Sequence, residues 1–298
     1  MADETIRRKF TDWKECLEGK DPPKVDANSI LGVLLTMFWE MGAYETYATV
    51  CRNNPSSPLA TSLFTNLTAY NYIQAQAIRI RRLCEPPAQA DEKKDTSVYS
   101  LRRVVDEMKQ QRKAGFLTRD SICAAYGIPV SKEEVKRQFE TDTAGVSGSF
   151  SSSSIVAMNM HAMLDKICDK NDLKKSLFDQ LDKRLLVDNN AQLGEIINFV
   201  NKNIVHSASA DSRGQVGREM ALRIADVKKV IQDMTEAFFC CNVLVAQANT
   251  SMITIGWEDQ LVNLTDEEVA IAYSVFRGIK AESETWKQNG YKLLGEPG

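Results

Sequence analysis

The placement of proline limits what this chain can fold into. Pro22, Pro23, Pro55, Pro58, Pro86, Pro87 and Pro129 fall between apolar-periodic segments, and the next proline is Pro297. Proline lacks a backbone N–H and clashes with the preceding helical turn, so it interrupts a helix wherever it sits in the interior. The first half is therefore punctuated into helices of moderate length, whereas the second half is free to hold long ones.

The apolar periodicity fills in those helices. Ile6, Phe10, Trp13 and Leu17 recur at steps of four, three and four, one face of an amphipathic helix. Further helices are expected over 28–51, 57–84, 97–113, 118–126 and 131–140. The second of these ends in Arg79, Arg81 and Arg82, cations suited to a helix C-terminus. Ser131 with Glu134, and Thr265 with Glu268, have capping-box spacing. The second half reads as helices at 153–169, 172–187, 190–208, 215–253 and 265–288. No stretch shows sustained period-two alternation bounded by turn residues, so strands are not expected. No repeat with a fixed period is present. The expected fold class is all-α, a helical bundle with additional N-terminal helices. The small, polar run at 141–153 marks a linker between an N-terminal helical region (1–140) and a C-terminal bundle (154–298), which together could also form one continuous domain.

Composition narrows the chemistry. The 298 residues carry 37 Lys and Arg against 40 Asp and Glu, a net charge of −3, so bulk attraction to nucleic acid is not indicated. The two histidines, His161 and His206, exclude a three-histidine zinc site within one chain. Seven cysteines without a C-x-x-C pair read as free thiols of a reducing compartment. The N-terminal MADETIRRKF has no apolar signal core, and the apolar run from Ile30 to Trp39 falls short of the roughly 20 residues a bilayer span needs. A cytoplasmic protein with no membrane partner and no cofactor is expected, with Ile30–Trp39 as a buried helix.

The segment with most chemical content runs from Gln192 to Arg213. Leu193, Ile196, Ile197, Val200 and Ile204 are spaced to face a core, and Glu195, Asn198, Lys202 and His206 form another stripe. Lys202 and His206 are four apart and share a helical face. His206 then meets a turn of small polar residues that ends in Ser212 and Arg213.

Several motifs occur in order: Ile78-Arg79-Ile80-Arg81-Arg82-Leu83, Ser100-Leu101-Arg102-Arg103-Val104-Val105, Phe116-Leu117-Thr118-Arg119, and Asn201-Lys202-Asn203-Ile204-Val205-His206-Ser207-Ala208 with Ser212-Arg213. With these motifs, residues 60–250 resemble the HEPN-like abortive-infection U-type proteins of bacteria. The resemblance implies a helical bundle, a phage-defence or toxin–antitoxin role, a homodimer, a possible antitoxin partner and metal-independent cleavage of RNA. His206 would be the general acid or base and Lys202 the cation, with Asn201 and Arg213 beside them. The position five before His206 is Asn201, where the family pattern has arginine. A non-catalytic helical interaction module with a degenerate site is the alternative.

Other features have plainer readings beside the functional ones. His206 could instead satisfy carbonyls at a helix C-terminus. Residues 79–119 hold eleven Lys and Arg against six Asp and Glu, so Arg79, Arg81, Arg82, Arg102 and Arg103 could face RNA or be solvated helix faces. His161, amid Met158, Met160 and Met163, reads as a core or interface residue; it is seven before Cys168, on a helix that could bring the two to one face. Cys240 and Cys241 read as buried structural thiols. No Gly-rich phosphate loop is present.

Overall fold

The computed structural model describes residues 2–20, 26–86, 99–144, 152–205, 222–246 and 265–295. The described residues form α1 (Ala2–Glu18), α2 (Ile30–Asn53), α3 (Ser62–Leu83), α4 (Leu101–Lys113), α5 (Arg119–Ala125), α6 (Lys132–Ala144), α7 (Ser152–Ile167), α8 (Lys175–Leu185), α9 (Ala191–Val200), α10 (Ile224–Ala246) and α11 (Asp266–Lys292). The fold is an all-α bundle, as expected. Two elements differ from the sequence reading. A hairpin of two-residue strands, β1 (Cys168–Asp169) and β2 (Asp172–Leu173), separates α7 from α8. The α-helix α9 also gives way to a π turn at Asn201–Val205.

Several helix starts carry side-chain caps. The Ser29 hydroxyl accepts from the Gly32 N–H, Ser100 accepts from Arg103, and Asn190 accepts from Leu193. Thr265 and Glu268 form the reciprocal box that their spacing predicts. At Ser131 the hydroxyl accepts from the Glu134 N–H but donates to the Glu133 carboxylate, so the capping works through a neighbouring side chain. Residues 141–144 of the expected linker lie in α6, and 145–151 lie outside the described residues.

One apolar cluster draws on both sides of that segment, from Ile6, Trp13 and Leu34 to Leu164, Phe238 and Leu294. Its spine is α10, where Val227, Val230, Ile231, Met234, Phe238, Phe239, Cys241 and Leu244 are all buried. A helix apolar around most of its circumference must be surrounded, and α1, α2, α3, α4, α8, α9 and α11 all pack on it. The Ile30–Trp39 run is the buried start of α2, as its composition predicts. Among the described residues, no helix is long and apolar enough to cross a membrane.

Ion pairs fix the helix order at the surface of this core. Lys228 of α10 bridges Glu45 of α2 (3.4 Å) and Glu282 of α11 (2.7 Å). Lys228 opposite Glu282 and Glu236 opposite Asn289 place α10 and α11 in parallel. Glycine permits the closest approaches. A Cβ at Gly290 would lie 2.6 Å from the Glu236 carbonyl oxygen, and one at Gly42 would lie 2.4 Å from the Phe276 ring.

Trp13 and Glu107 join α1 to α4. The indole N–H donates to Glu107 Oε2 at 3.1 Å, and Lys9 and Arg103 contact the same carboxylate. Burial pushes Glu107 up, but hydrogen bonds from Arg103 and Trp13 and the charge of Lys9 outweigh it and hold the group below its ordinary value of 4.5. A carboxylate depressed on folding contributes stability that is complete above its unfolded value and is lost as pH falls through its folded value. Chemical denaturation from pH 6 to pH 3 should therefore show stability falling below about 4.5, with a shallower fall in Glu107→Gln.

A second prediction concerns the glycines. Gly290→Ala should lower the unfolding free energy by about 1–3 kcal/mol, because the close helix contact must open. Gly278, also in α11, has nothing within 4 Å of its would-be Cβ. Gly278→Ala should raise stability by about 0.5–1 kcal/mol through helix propensity. Equal effects of the two substitutions in thermal or urea unfolding would sink this account.

Candidate functional site

The expected catalytic segment begins in α9. Asn190 anchors its start, accepting from the Leu193 N–H (3.1 Å) while its amide donates to Asp233 (3.0 Å) and to the Arg184 carbonyl (3.3 Å). Leu193, Ile196, Phe199 and Val200 are buried, and the helix packs on α3 and α10. Glu195 and Asn198 are exposed, as the two-stripe reading requires.

At Asn201 the backbone switches to the wider π turn. Asn201 and Lys202 are half-buried there, and Asn203 is exposed with its amide donating to the Phe199 carbonyl at 3.1 Å. That bond turns Asn203 back along α9 and accounts for it structurally. Of the four candidate catalytic residues, Asn201 and Lys202 are adjacent on this turn. His206 and Arg213 lie outside the described residues.

The candidate RNA-facing arginines are mostly engaged within the fold. Arg79 pairs with Glu40 at 2.7 Å, and burial pushes Glu40 above its ordinary value of 4.5 despite that partner. Arg82 donates to the Asn28 carbonyl at 3.1 Å. Arg102 pairs with Asp106 at 3.4 Å and Arg103 with Glu107 at 3.1 Å, each one helical turn away. Arg81 is half-buried in the last turn of α3 and makes no ion pair with another described residue. A guanidinium already held by a carboxylate presents less net charge to a phosphate, so the local excess in the sequence overstates the field of this surface.

The histidine that is described, His161, is buried in α7 and sits in a node the sequence reading missed. Its Nδ1 lies 3.0 Å from Arg119 Nη2, and its Nε2 lies 2.9 Å from the Pro129 carbonyl oxygen. Arginine can only donate and a carbonyl can only accept, so these partners assign a neutral ring protonated at Nε2. Arg119 also binds Asp165 (2.8 Å), one turn beyond His161, and Lys132 reaches the same carboxylate at 2.5 Å. The node ties α5, α6 and α7 together. The β1–β2 hairpin docks beside it, with the Arg119 N–H donating to the Asn171 carbonyl at 2.8 Å. Cys168 belongs to β1, so the helical face expected to carry it with His161 does not form. The available signal was the four-residue step from His161 to Asp165; Arg119 is too distant in sequence for spacing to reveal.

With both ring nitrogens engaged, His161 has no free site for proton transfer. The thiols of Cys16, Cys84, Cys168 and Cys241 are likewise unsuited to nucleophilic chemistry. Burial pushes Cys84 and Cys241 up to about 12 and Cys16 and Cys168 up to about 11. Among the described residues, no group of three His, Cys, Asp or Glu side chains is placed to hold a metal ion. An open hollow of about 450 Å³ is lined by Asp179, Asp182, Lys183 and Asn189, and Lys109 already contacts Asp182.

No protein-family model, curated protein or solved structure matches this chain. Its functional reading therefore rests on its own residues. His161→Ala should lower the unfolding free energy by about 1–3 kcal/mol, the cost of leaving a buried partner unsatisfied. Unchanged stability in urea unfolding would refute the structural assignment of this histidine.

Proposed function

We propose that the chain is a HEPN-like helical protein of a bacterial phage-defence or toxin–antitoxin system, and that it cleaves RNA without a metal. The reading includes a cytoplasmic location, a homodimer and an antitoxin partner. The observation that carries it is the π turn at the end of α9, which presents Asn201 and Lys202 on the approach to His206. A π turn is rare, and its wider spacing re-aims the side chains it carries, here Asn201 and Lys202. In this reading His206 moves a proton to or from a 2′-hydroxyl or a leaving oxygen. Lys202 stabilises charge on the phosphoryl group as a point cation, without the bidentate fork that arginine would supply. Asn201 and Arg213 complete the polar surroundings.

A second reading, a non-catalytic interaction module, has its own support. Asn201 stands where the family pattern has arginine, and Arg79, Arg102 and Arg103 are paired with carboxylates. One experiment separates the two: RNA cleavage by purified wild type and His206→Ala in parallel, with EDTA present. The ribonuclease reading expects cleavage that falls by about 100-fold or more in the variant, the range of general acid–base contributions. Cleavage by neither protein leaves the interaction module; equal cleavage by both removes His206 from the chemistry.

A further inference from the structure

Residues 53–78 contain no Asp, Glu, Lys or Arg, although 26% of the whole chain is charged. Most of that stretch is the N-terminal three-quarters of α3. The inward face of this helix is conventional: Tyr72, Gln76, Ile80 and Leu83 are buried against the bundle. The outward face is not. Leu63 is 72% exposed, and Leu67, Tyr70 and Ile78 are about half exposed, each with its apolar body in solvent. Leu63, Leu67, Tyr70, Gln74 and Ile78 follow one another at steps of four, three, four and four. Those steps place them on one stripe about 22 Å long at the helical rise. The stripe lies on the side away from the buried face. Leu59, in the Pro58–Ala60 turn, and Phe64 extend the apolar surface and are also exposed. This helix thus carries apolar residues on two opposing sides, and one of them is left exposed among the described residues.

The chemistry of the stripe selects what fits it. Nucleic acid needs cations, and a membrane-surface helix needs a basic polar face; the stripe offers neither. A charged partner would find no counter-charge. A second copy meets none of these objections. In a two-fold contact the residues at the axis face their own equivalents, so a charge there would confront its like, and an uncharged apolar seam is complementary to itself. From Leu63 to Gln74 the four-three-four spacing is that of a coiled-coil seam, with Gln74 as a polar residue able to fix the register.

We propose that the outer face of α3 is a self-association surface, on which two copies pair their α3 helices antiparallel. The orientation follows from charge. Arg81 and Arg82 lie in the last turn of α3 without a carboxylate partner among the described residues, and a parallel pair would set both basic ends together. An antiparallel pair separates them and opposes the two helix dipoles favourably. The axis then passes near Tyr70, and Leu63 of one copy lies opposite Ile78 of the other. This specifies the homodimer component of the function proposed above and rests on that component alone. Its readout is mass in solution, so it can fail while RNA cleavage is observed, and the reverse.

The experiment measures the mass of the full chain by light scattering at micromolar concentration, for wild type, Leu67→Glu and Leu63→Glu. Both positions are exposed, so helix content by circular dichroism should not change. The expected result is a wild-type dimer whose association weakens at least about 30-fold in either variant, the loss typical of a central interface residue. Cysteine cross-linking reads the orientation. Tyr70→Cys should form a disulfide with its own copy above the wild-type background. Leu63→Cys and Ile78→Cys should each form none alone and one when mixed. A monomeric wild type, or a dimer that survives both glutamates, overturns the surface; a lowered melting temperature in a monomeric Leu67→Glu would show that the chain itself covers the stripe. Self-cross-linking of Leu63→Cys without that of Tyr70→Cys overturns the antiparallel arrangement.

Discussion

The carboxylate of Glu236 sits inside α10, the central helix of the bundle, and the second half of the fold is arranged around it. Arg184 of α8 donates to Oε2 from Nε (3.1 Å) and Nη2 (2.8 Å). Gln232, one turn earlier on α10, and Asn289 of α11 donate to Oε1 at 2.7 and 3.2 Å. A carboxylate at this depth is tolerated only when paired and hydrogen-bonded. Both oxygens are engaged, and their partners come from three helices. The node therefore sets the rotation of α8 and α11 about α10 as well as their spacing. Gly290 then lets the α11 backbone come close enough for Asn289 to reach. Apolar packing alone would hold these helices together but would permit alternative rotations, since greasy faces slide at little cost. Asn190 and Asp233 continue the polar seam, so the start of α9 is tied to the same assembly.

Much of this architecture was legible in the sequence because the relevant physics is local. Proline positions, capping residues and period-3.6 apolar faces locate most helices to within a few residues. The elements that escaped are those held by distant partners. The run from Cys168 to Leu173 has no strand alternation, and its hairpin forms because Asn171 and Asp172 dock on the start of α5. Lys170 accepts a left-handed backbone (φ 58°) at that turn, which no propensity would predict for lysine. The Glu236 node joins residues about fifty positions apart, and the His161 node joins residues about forty apart.

The candidate site divides along the same line. The buried and exposed stripes of α9 follow the regular helical period through Val200, so reading that period gave the right faces for Leu193, Ile196, Glu195 and Asn198. The π turn breaks the period at Asn201. A one-turn relation inferred from four-residue spacing, such as Lys202 with His206, is no longer implied by sequence once hydrogen bonds run from i to i+5. The basic excess near 79–119 is incomplete as a sequence reading for a related reason. Counting charges in a window cannot show that Glu40 lies beside Arg79, because that pairing is made by the packing of α2 on α3.

That same packing explains why α3 can keep an uncharged outer face. Its inward side already contributes Ile80 and Leu83 to the core, and Gln76 donates to Met37 and Glu40 across the α2 contact. The helix is thus secured from one side. Solvent-facing positions on such a helix ordinarily take Glu, Lys or Arg, which favour helix and solubility together. Leu63, Leu67, Tyr70 and Ile78 give up that solubility, and among the described residues none of them completes the core. Residues that cost solubility and add nothing to the monomer are explained by a contact the monomer does not make. The absence of any charge across the whole face, rather than its apolar content alone, is what the proposed pairing of two copies rests on.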